Sequence, residues 1–319
     1  TPMLDDARQL TTMRTGKPWW SKDGRMLYFS TIGSDSQTWM VDLTTNVIQP
    51  GSDSQFSFQE AVSLTVSLSP GQVFQDEIRI SPSGDKIVFS YNVASMGPSE
   101  EMCDGEACKS IPAKGIGLID LKDRQLTLLQ MEGELIAMEI SLRWSDDESR
   151  VVIGAPPSWT TGSDVPTVWI ADLVAGRVYP IGTRDDRIYP LSISPNGDLL
   201  TYQLEEPGPN PACDMYLWTI DSQEDRFLPN LPCTAHFWLS NNRTVVFDEQ
   251  VGDRIVFWAY DITTFERREI ASSTELPRTH SWYALAPDER SVAVVLYSND
   301  DSSGIWLVSF DLGAYPGES

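Results

Sequence analysis

The sequence predicts an all-β chain folded as a six-bladed β-propeller of four-stranded antiparallel blades. Three observations carry that expectation. A phrase made of an apolar residue, a short polar turn and a β-rich run recurs six times, and self-similarity at a period of roughly 40 to 50 residues marks propellers and solenoids. A second phrase built around Trp and Asp follows each copy. A strand is missing at the C-terminal end of the pattern, and a spare one stands at the N-terminal end.

The first phrase reads "WSKDGRMLYFS" from Trp20, "ISPSGDKIVFS" from Ile80, "WSDDESRVVIG" from Trp144, "ISPNGDLLTYQ" from Ile193, "WLSNNRTVVFD" from Trp238 and "LAPDERSVAVV" from Leu285. In each, a strand end, a tight polar turn and a following strand make a hairpin. The last turn position asks for positive φ, which Gly24, Gly84, Gly197 and Asn242 supply readily. Glu148 and Glu289 stand there in two copies, so those turns are expected to differ in conformation or to carry mild strain. The runs after the turn are short and apolar and read as strands buried on both faces.

The second phrase reads "WMVDL" from Trp39, "GLIDL" from Gly117, "WIADL" from Trp169, "WTIDS" from Trp218, "WAYDI" from Trp258 and "WLVSF" from Trp306. Alternation puts its first and third residues on one face, so the Trp fills the gap between neighbouring sheets. The Asp at the fourth place ends the strand and accepts backbone N–H groups in the turn. A further turn and a short strand follow: "NVIQP", "QLTLL", "RVYPI", "DRFLP" and "RREIA". Each unit therefore has four strands, a to d, with the first phrase covering the end of a and all of b, and the second phrase forming c. The blades fall at about 18–55, 75–133, 140–183, 188–230, 234–271 and 280–312, within a single domain spanning 1–319. After "WLVSF" only "DLGAYPGES" remains, so residues 8–13 are expected to supply strand d of the sixth blade and hide its open edge.

These phrases resemble the WD40-like repeat of TolB-type propellers, whose units read W-S-P-D-G followed by an apolar strand and a strand ending in D-L. The resemblance covers all six units. It implies the six-bladed fold, and no function with it, since relatives of this architecture include periplasmic scaffold proteins, the propeller half of prolyl-oligopeptidase-like peptidases, and lyases.

Composition narrows the function classes. Hydrophobic residues make up 41% of the 319 residues, enough for a sizeable core, and the formal net charge is −23. So acidic a surface repels phosphate backbones and anionic membranes, which argues against nucleic acid and against direct membrane insertion. It tolerates or favours cationic partners. The bland reading of the charge is solubility. No stretch approaches a membrane span.

Four cysteines pair locally, Cys103 with Cys108 and Cys213 with Cys233. Disulfides, free thiols and a zinc site are the three readings. Even number and local pairing favour two disulfides, and zinc is poorly served because neither pair has CxxC spacing and only His236 and His280 are at hand. Disulfides imply a periplasmic, cell-surface or secreted protein, with any leader or anchor outside this chain.

Long connections should mark the functional face. The a–b turns are uniformly short, whereas the b–c connections are long in blade 2 (residues 91–115), blade 3 (155–166), blade 4 (205–213) and blade 6 (298–304). The linker 51–74 alternates weakly and is expected to add a hairpin. The binding-face candidates are Glu100, Glu101, Asp104, Glu106, Trp159, Asp164, Glu205, Glu206, Asp300 and Asp301, which suit a protein or peptide partner of basic character. Drift in surface loops is the structural alternative. No cofactor is expected. Beside zinc, calcium is the other ion the sequence brings to mind, at "SNDDSSG", which lacks the spaced carboxylates of a calcium loop.

For catalysis the chain offers no G-x-S-x-G elbow, P-loop, H-E-x-x-H or Rossmann glycine pattern. His236 and His280 stand at corresponding places in blades 5 and 6, where they approach the central channel; the plainer reading is two strand-entry histidines with satisfied hydrogen bonds. The sequence thus favours a non-catalytic extracytoplasmic binding or scaffold module. The alternatives are an enzyme or enzyme domain of hydrolase or lyase type with its site in the channel, and the propeller half of a larger peptidase-like protein.

Overall fold

The structure, a computed structural model, describes residues 7–13, 15, 18–21, 23–31, 38–50, 73–93, 100–104, 107–111, 114–123, 125–131, 141–154, 168–181, 187–205, 213–234, 236–276, 280–296 and 304–312. The expected hairpin in the linker 51–74 falls almost wholly outside them.

The chain is an all-β, six-bladed propeller of four-stranded antiparallel blades. After β1 (Arg8–Thr11), blade 1 runs β2 (Trp19–Trp20), β3 (Met26–Ser30), β4 (Thr38–Asp42) and β5 (Val47–Pro50). Blade 2 has β6 (Val73–Ile80) and β7 (Lys86–Val93), then an inserted hairpin of β8 (Glu100–Asp104) and β9 (Ala107–Ile111), then β10 (Lys114–Asp120) and β11 (Gln125–Leu128). The short β12 (Gln130–Met131) leaves blade 2 and joins the outer edge of blade 3, parallel to its last strand. Blade 3 proper is β13 (Ser141–Trp144), β14 (Arg150–Gly154), β15 (Val168–Asp172) and β16 (Arg177–Pro180). Blade 4 is β17 (Arg187–Ile193), β18 (Leu199–Glu205), β19 (Cys213–Thr219) and β20 (Glu224–Phe227). Blade 5 is β21 (His236–Trp238), β22 (Thr244–Val251), β23 (Arg254–Asp261) and β24 (Arg267–Ser273), and blade 6 is β25 (His280–Leu285), β26 (Ser291–Leu296) and β27 (Gly304–Ser309). The expected closure is present: β1 pairs antiparallel with β27, Arg8 opposite Leu307 and Gln9 opposite Trp306.

The chain divides into two compact units, Phe56–Cys233 and Thr1–Gln55 with Thr234–Ser319. In the first, Trp169 is buried among Val88 and Ile116 of blade 2 and Leu142, Val151 and Ile153 of its own blade. In the second, Trp39 packs on Ala293, Val295 and Ile305 of blade 6. The repeated Trp fills the space between sheets, as expected. Blade 2 has Gly117 at this place, and a Cβ there would overlap the buried Phe89 ring, which occupies the slot instead.

The Asp at the end of strand c also does what its position predicts. Asp42 accepts the N–H of Thr44 at 2.8 Å, Asp172 that of Ala175 at 2.8 Å, and Asp261 that of Thr263 at 2.7 Å. Blade 4 corrects the reading of "WTIDS". The residue after each a–b turn pairs with the end of strand c: Met26 with Asp42, Arg150 with Asp172, and Leu199 with Thr219. The fourth-place equivalent is therefore Thr219, and the Trp equivalent is Tyr216. A slip of two residues keeps the same face toward the neighbouring sheet, so alternation alone could not reveal it.

The two glutamate turns take the second of the two expected forms, strain without a change of conformation. Glu148 and Glu289 both have φ 57°, the same left-handed conformation as Gly24 at 69° and Asn242 at 54°. The turns do not differ, and each glutamate carries the strain of that region for a reason described below.

The disulfide expectation is corrected as well. No disulfide between two described cysteine side chains is present in the structure. Cys103 and Cys108 are placed only as backbone partners across the β8–β9 hairpin, and Cys213 only as the partner of Glu205. Opposition in a ladder brings two Cα atoms within bridging range but leaves side-chain distance and dihedral unspecified. Cys233 is not a free thiol, and among the described residues there is no free cysteine. Neither the 103–108 nor the 213–233 pairing is carried further.

Candidate functional site

Each blade has two ends. One carries the a–b and c–d turns, the other the b–c and d–a connections. The turn end is built of satisfied local bonds. In the first phrase the Ser after the apolar residue is buried. Its hydroxyl accepts the N–H five residues on, from Met26 to Ser21 at 2.9 Å, Arg150 to Ser145 at 3.1 Å and Leu199 to Ser194 at 2.9 Å. Ser21 and Ser145 also donate to Asp23 and Asp147, both at 2.6 Å.

Successive blades are then tied together at this end. Glu148 of blade 3 accepts the backbone N–H of Ser83 in blade 2 at 2.6 Å and pairs with Lys86 at 3.2 Å. Glu289 of blade 6 accepts the N–H of Ser240 in blade 5. Arg150 of blade 3 reaches Asp198 at 3.3 Å and Asp221 at 2.6 Å in blade 4. Burial is the largest single influence on the Glu148 carboxyl and pushes it up, but the hydrogen bonds from Ser83, Ser81 and Lys86 outweigh it and hold the group below the ordinary range. Polar groups committed in this way leave the turn end occupied with holding the scaffold.

The opposite end differs, most visibly in the unit Phe56–Cys233. In blade 2, β7 and β10 stay paired from Lys86 opposite Asp120 out to Asn92 opposite Lys114, and the β8–β9 hairpin is inserted beyond them. That hairpin carries Glu100, Glu101 and Asp104 on β8. In blade 3 the chain leaves at Gly154 and returns at Val168, and in blade 4 it leaves at Glu205 and returns at Cys213. Glu205 closes its strand opposite Arg187 on one side and Cys213 on the other. Glu106, Trp159, Asp164, Glu206, Asp300 and Asp301 lie outside the described residues. The described acidic candidates, Glu100, Glu101 and Asp104 of blade 2 and Glu205 of blade 4, thus lie in or at the edge of the same kind of connection, within one unit. Among the described residues no group of three or more His, Cys, Asp or Glu is placed to hold a metal ion.

The two histidines open the innermost strands of blades 5 and 6 but not at corresponding places: His236 pairs with Phe247 and His280 with Leu296, and by register it is Tyr283, opposite Val294, that stands at the place of His236. His236 is 6% exposed, and its Nδ1 lies 3.0 Å from the Thr234 carbonyl oxygen. A carbonyl only accepts, so Nδ1 carries a proton. Strand alternation puts His236 on the face opposite to Phe237, and it is Phe237 that meets Tyr283 of blade 6, with ring centroids 5.6 Å apart. His236 is therefore turned away from the blade 6 side. The His280 side chain lies outside those described.

One polar pair was missed in the sequence. Asp248 is 4% exposed in the middle of β22, and the Tyr283 hydroxyl of blade 6 donates to it. Phe237, Phe257 and Phe310 surround the tyrosine ring. Burial first, and the Asp248 charge second, push the Tyr283 phenol far above its usual range, so it stays protonated and donating. The available signal was a carboxylate placed directly after the apolar residues "VVF" of β22, before its exposed end.

No protein-family model matches the chain, and no curated protein sequence matches it. Solved structures do resemble it. An oligogalacturonate lyase in complex with manganese aligns with 15% identity and TM-score 0.57, over 96% of this chain and 93% of that one. The oligogalacturonate lyase of Vibrio parahaemolyticus aligns with 12% identity and TM-score 0.52, over 94% and 79%. TolB from Acinetobacter baumannii aligns with 13% identity and TM-score 0.44, over 82% and 56%. At these identities the likeness is one of fold. The chain is a β-propeller related in architecture to several propeller families, and its resemblance to TolB resolves to that shared fold.

Proposed function

We propose that the chain is an extracytoplasmic recognition propeller that binds a basic protein or peptide through the b–c connections of blades 2 to 4. The observation that carries this reading is the contrast between the two blade ends. One is short, capped and cross-linked, while the other bears an inserted acidic hairpin and the longest connections. In this proposal Glu100, Glu101, Asp104, Glu106, Asp164, Glu205 and Glu206 supply the charge and Trp159 an aromatic surface. Asp300 and Asp301 belong to the corresponding connection of blade 6. A net charge of −23 favours a cationic partner by steering and complementarity. The periplasm, the cell surface and the exterior are the compartments in this proposal. No helix among the described residues is long and apolar enough to cross a membrane.

A second reading is an enzyme of lyase type. Two likenesses that span nearly the whole chain are both to oligogalacturonate lyases, and the comparisons lean toward this reading rather than toward recognition. Electrostatics opposes it, because a polyanionic substrate meets an acidic surface and needs a cation between them. One experiment separates the two. The chain is incubated with oligogalacturonate, with and without manganese, and cleavage is read; in parallel, photo-cross-linkers are placed on the β8–β9 hairpin and on the c–d turns. Recognition predicts no cleavage and capture at the hairpin alone. Manganese-dependent cleavage, or capture equal at both ends, overturns it.

A further inference from the structure

Cross-strand register lines up one residue from each of strands b, c and d on a blade face. In blade 4 this row is entirely aromatic: Tyr202 opposite Tyr216 opposite Phe227. The first two rings stack at 5.5 Å with planes 20° apart, and the third meets Tyr216 edge-on at 5.7 Å. The equivalent rows end on Pro50, Leu128, Pro180, Glu269 and Gln9 in the other blades. Blade 4 alone places a ring at the outer position.

That ring is out of place for packing. Tyr202 is buried and Tyr216 half-buried, but Phe227 is 46% exposed. Two carboxylates share this face by alternation: Asp214, exposed and two residues before Tyr216, and Asp225, which accepts the Tyr202 hydroxyl at 3.0 Å. The neighbouring use of such rings is instructive. In blade 3 the Arg177 guanidinium lies 5.1 Å from the Tyr179 ring, and in blade 5 that of Arg267 lies 4.6 Å from Trp258. Among the described residues no guanidinium of this chain covers Tyr216 or Phe227.

We propose that the Tyr216–Phe227 row is a docking strip for an arginine-bearing segment of a partner protein. The guanidinium plane lies on the rings and its N–H groups turn to Asp214 and Asp225. Arginine is favoured over lysine because its planar, weakly hydrated cation both stacks and donates in a fork. The strip is independent of the acidic connections proposed above, so substitutions at Glu100 and Glu101 leave it unchanged.

The test uses fluorescently labelled octa-arginine and octa-lysine peptides, read by anisotropy in moderate salt to suppress general attraction. Wild type binds octa-arginine more tightly than octa-lysine. Phe227→Ala, and Phe227→Leu with its apolar volume kept, each lower the octa-arginine affinity about threefold or more and leave octa-lysine nearly unchanged. Asp214→Asn weakens both peptides. Thermal unfolding verifies that each variant is folded, and Asp214→Asn and Phe227→Leu carry the test if Phe227→Ala is not. Unchanged octa-arginine binding in the Phe227 variants, or equal loss of both peptides in those variants, overturns the proposal. So does Phe227-dependent self-association in sedimentation, which assigns the strip to a second copy of the chain.

Discussion

Glu148 shows how one residue serves two demands at once. Its backbone occupies a left-handed turn at φ 57°, where a residue with a Cβ costs about 1 kcal/mol or more relative to glycine. Its carboxylate meanwhile accepts the Ser83 N–H of the preceding blade and pairs with Lys86, and a hydrogen bond to a charged group contributes about 1.5–3 kcal/mol. The clamp outweighs the strain. Glu148→Gly is therefore expected to lower stability by about 1 kcal/mol, measured by denaturant unfolding. If the turn conformation alone mattered, the same change would raise it. The sign of pH dependence follows from the depressed carboxyl. A group whose folded pKa lies below its unfolded value contributes fully above the unfolded value, roughly 4.3 for glutamate, and loses its contribution as pH falls through the folded one. Melting temperature measured against pH should hold steady above about pH 5 on that account, fall below it, and fall less steeply in Glu148→Gln.

At the level of elements, the seams between blades 5 and 6 and between β1 and β27 each depend on one unusual residue. Gly304 has φ 141°, and a Cβ there would overlap the Thr11 carbonyl. Gly304→Ala is expected to loosen β1, read as lost hydrogen-exchange protection at residues 8–11 and a lower melting temperature. Gly84→Ala is the control: it has open space around it and carries only the left-handed backbone cost of about 1–2 kcal/mol. Between blades 5 and 6, Tyr283→Phe removes a donor from a carboxylate that is 4% exposed. A hydrogen bond to a charged group contributes about 1.5–3 kcal/mol, so a loss of that order is expected. The double variant Tyr283→Phe with Asp248→Asn should recover part of that loss in the same unfolding assay.

At the level of the molecule, the dominant physical fact is the charge. A net −23 opposes compaction by self-repulsion, so the melting temperature is expected to rise as sodium chloride increases and the Debye length contracts. A fall would show that ion pairs such as Arg150 with Asp221 and Arg243 with Asp261 outweigh the net repulsion.

The sequence by itself determined the repeat, the alternation and the turn chemistry. These give six four-stranded blades, the Trp between sheets, the Asp at the end of strand c and the strand that closes blade 6. All are local signals, legible because short-range sterics and alternation of period two repeat in every copy. Only the tertiary structure decided what depends on neighbours. It set the two-residue offset that makes Thr219 the end of its strand, gave Glu148 and Glu289 their reach into the preceding blade, and placed Tyr283 against Asp248. It also moved β12 to the edge of the next blade. The reason is physical: a slip of two preserves every face, and a side chain that spends its hydrogen bonds on another blade leaves no mark in its own repeat.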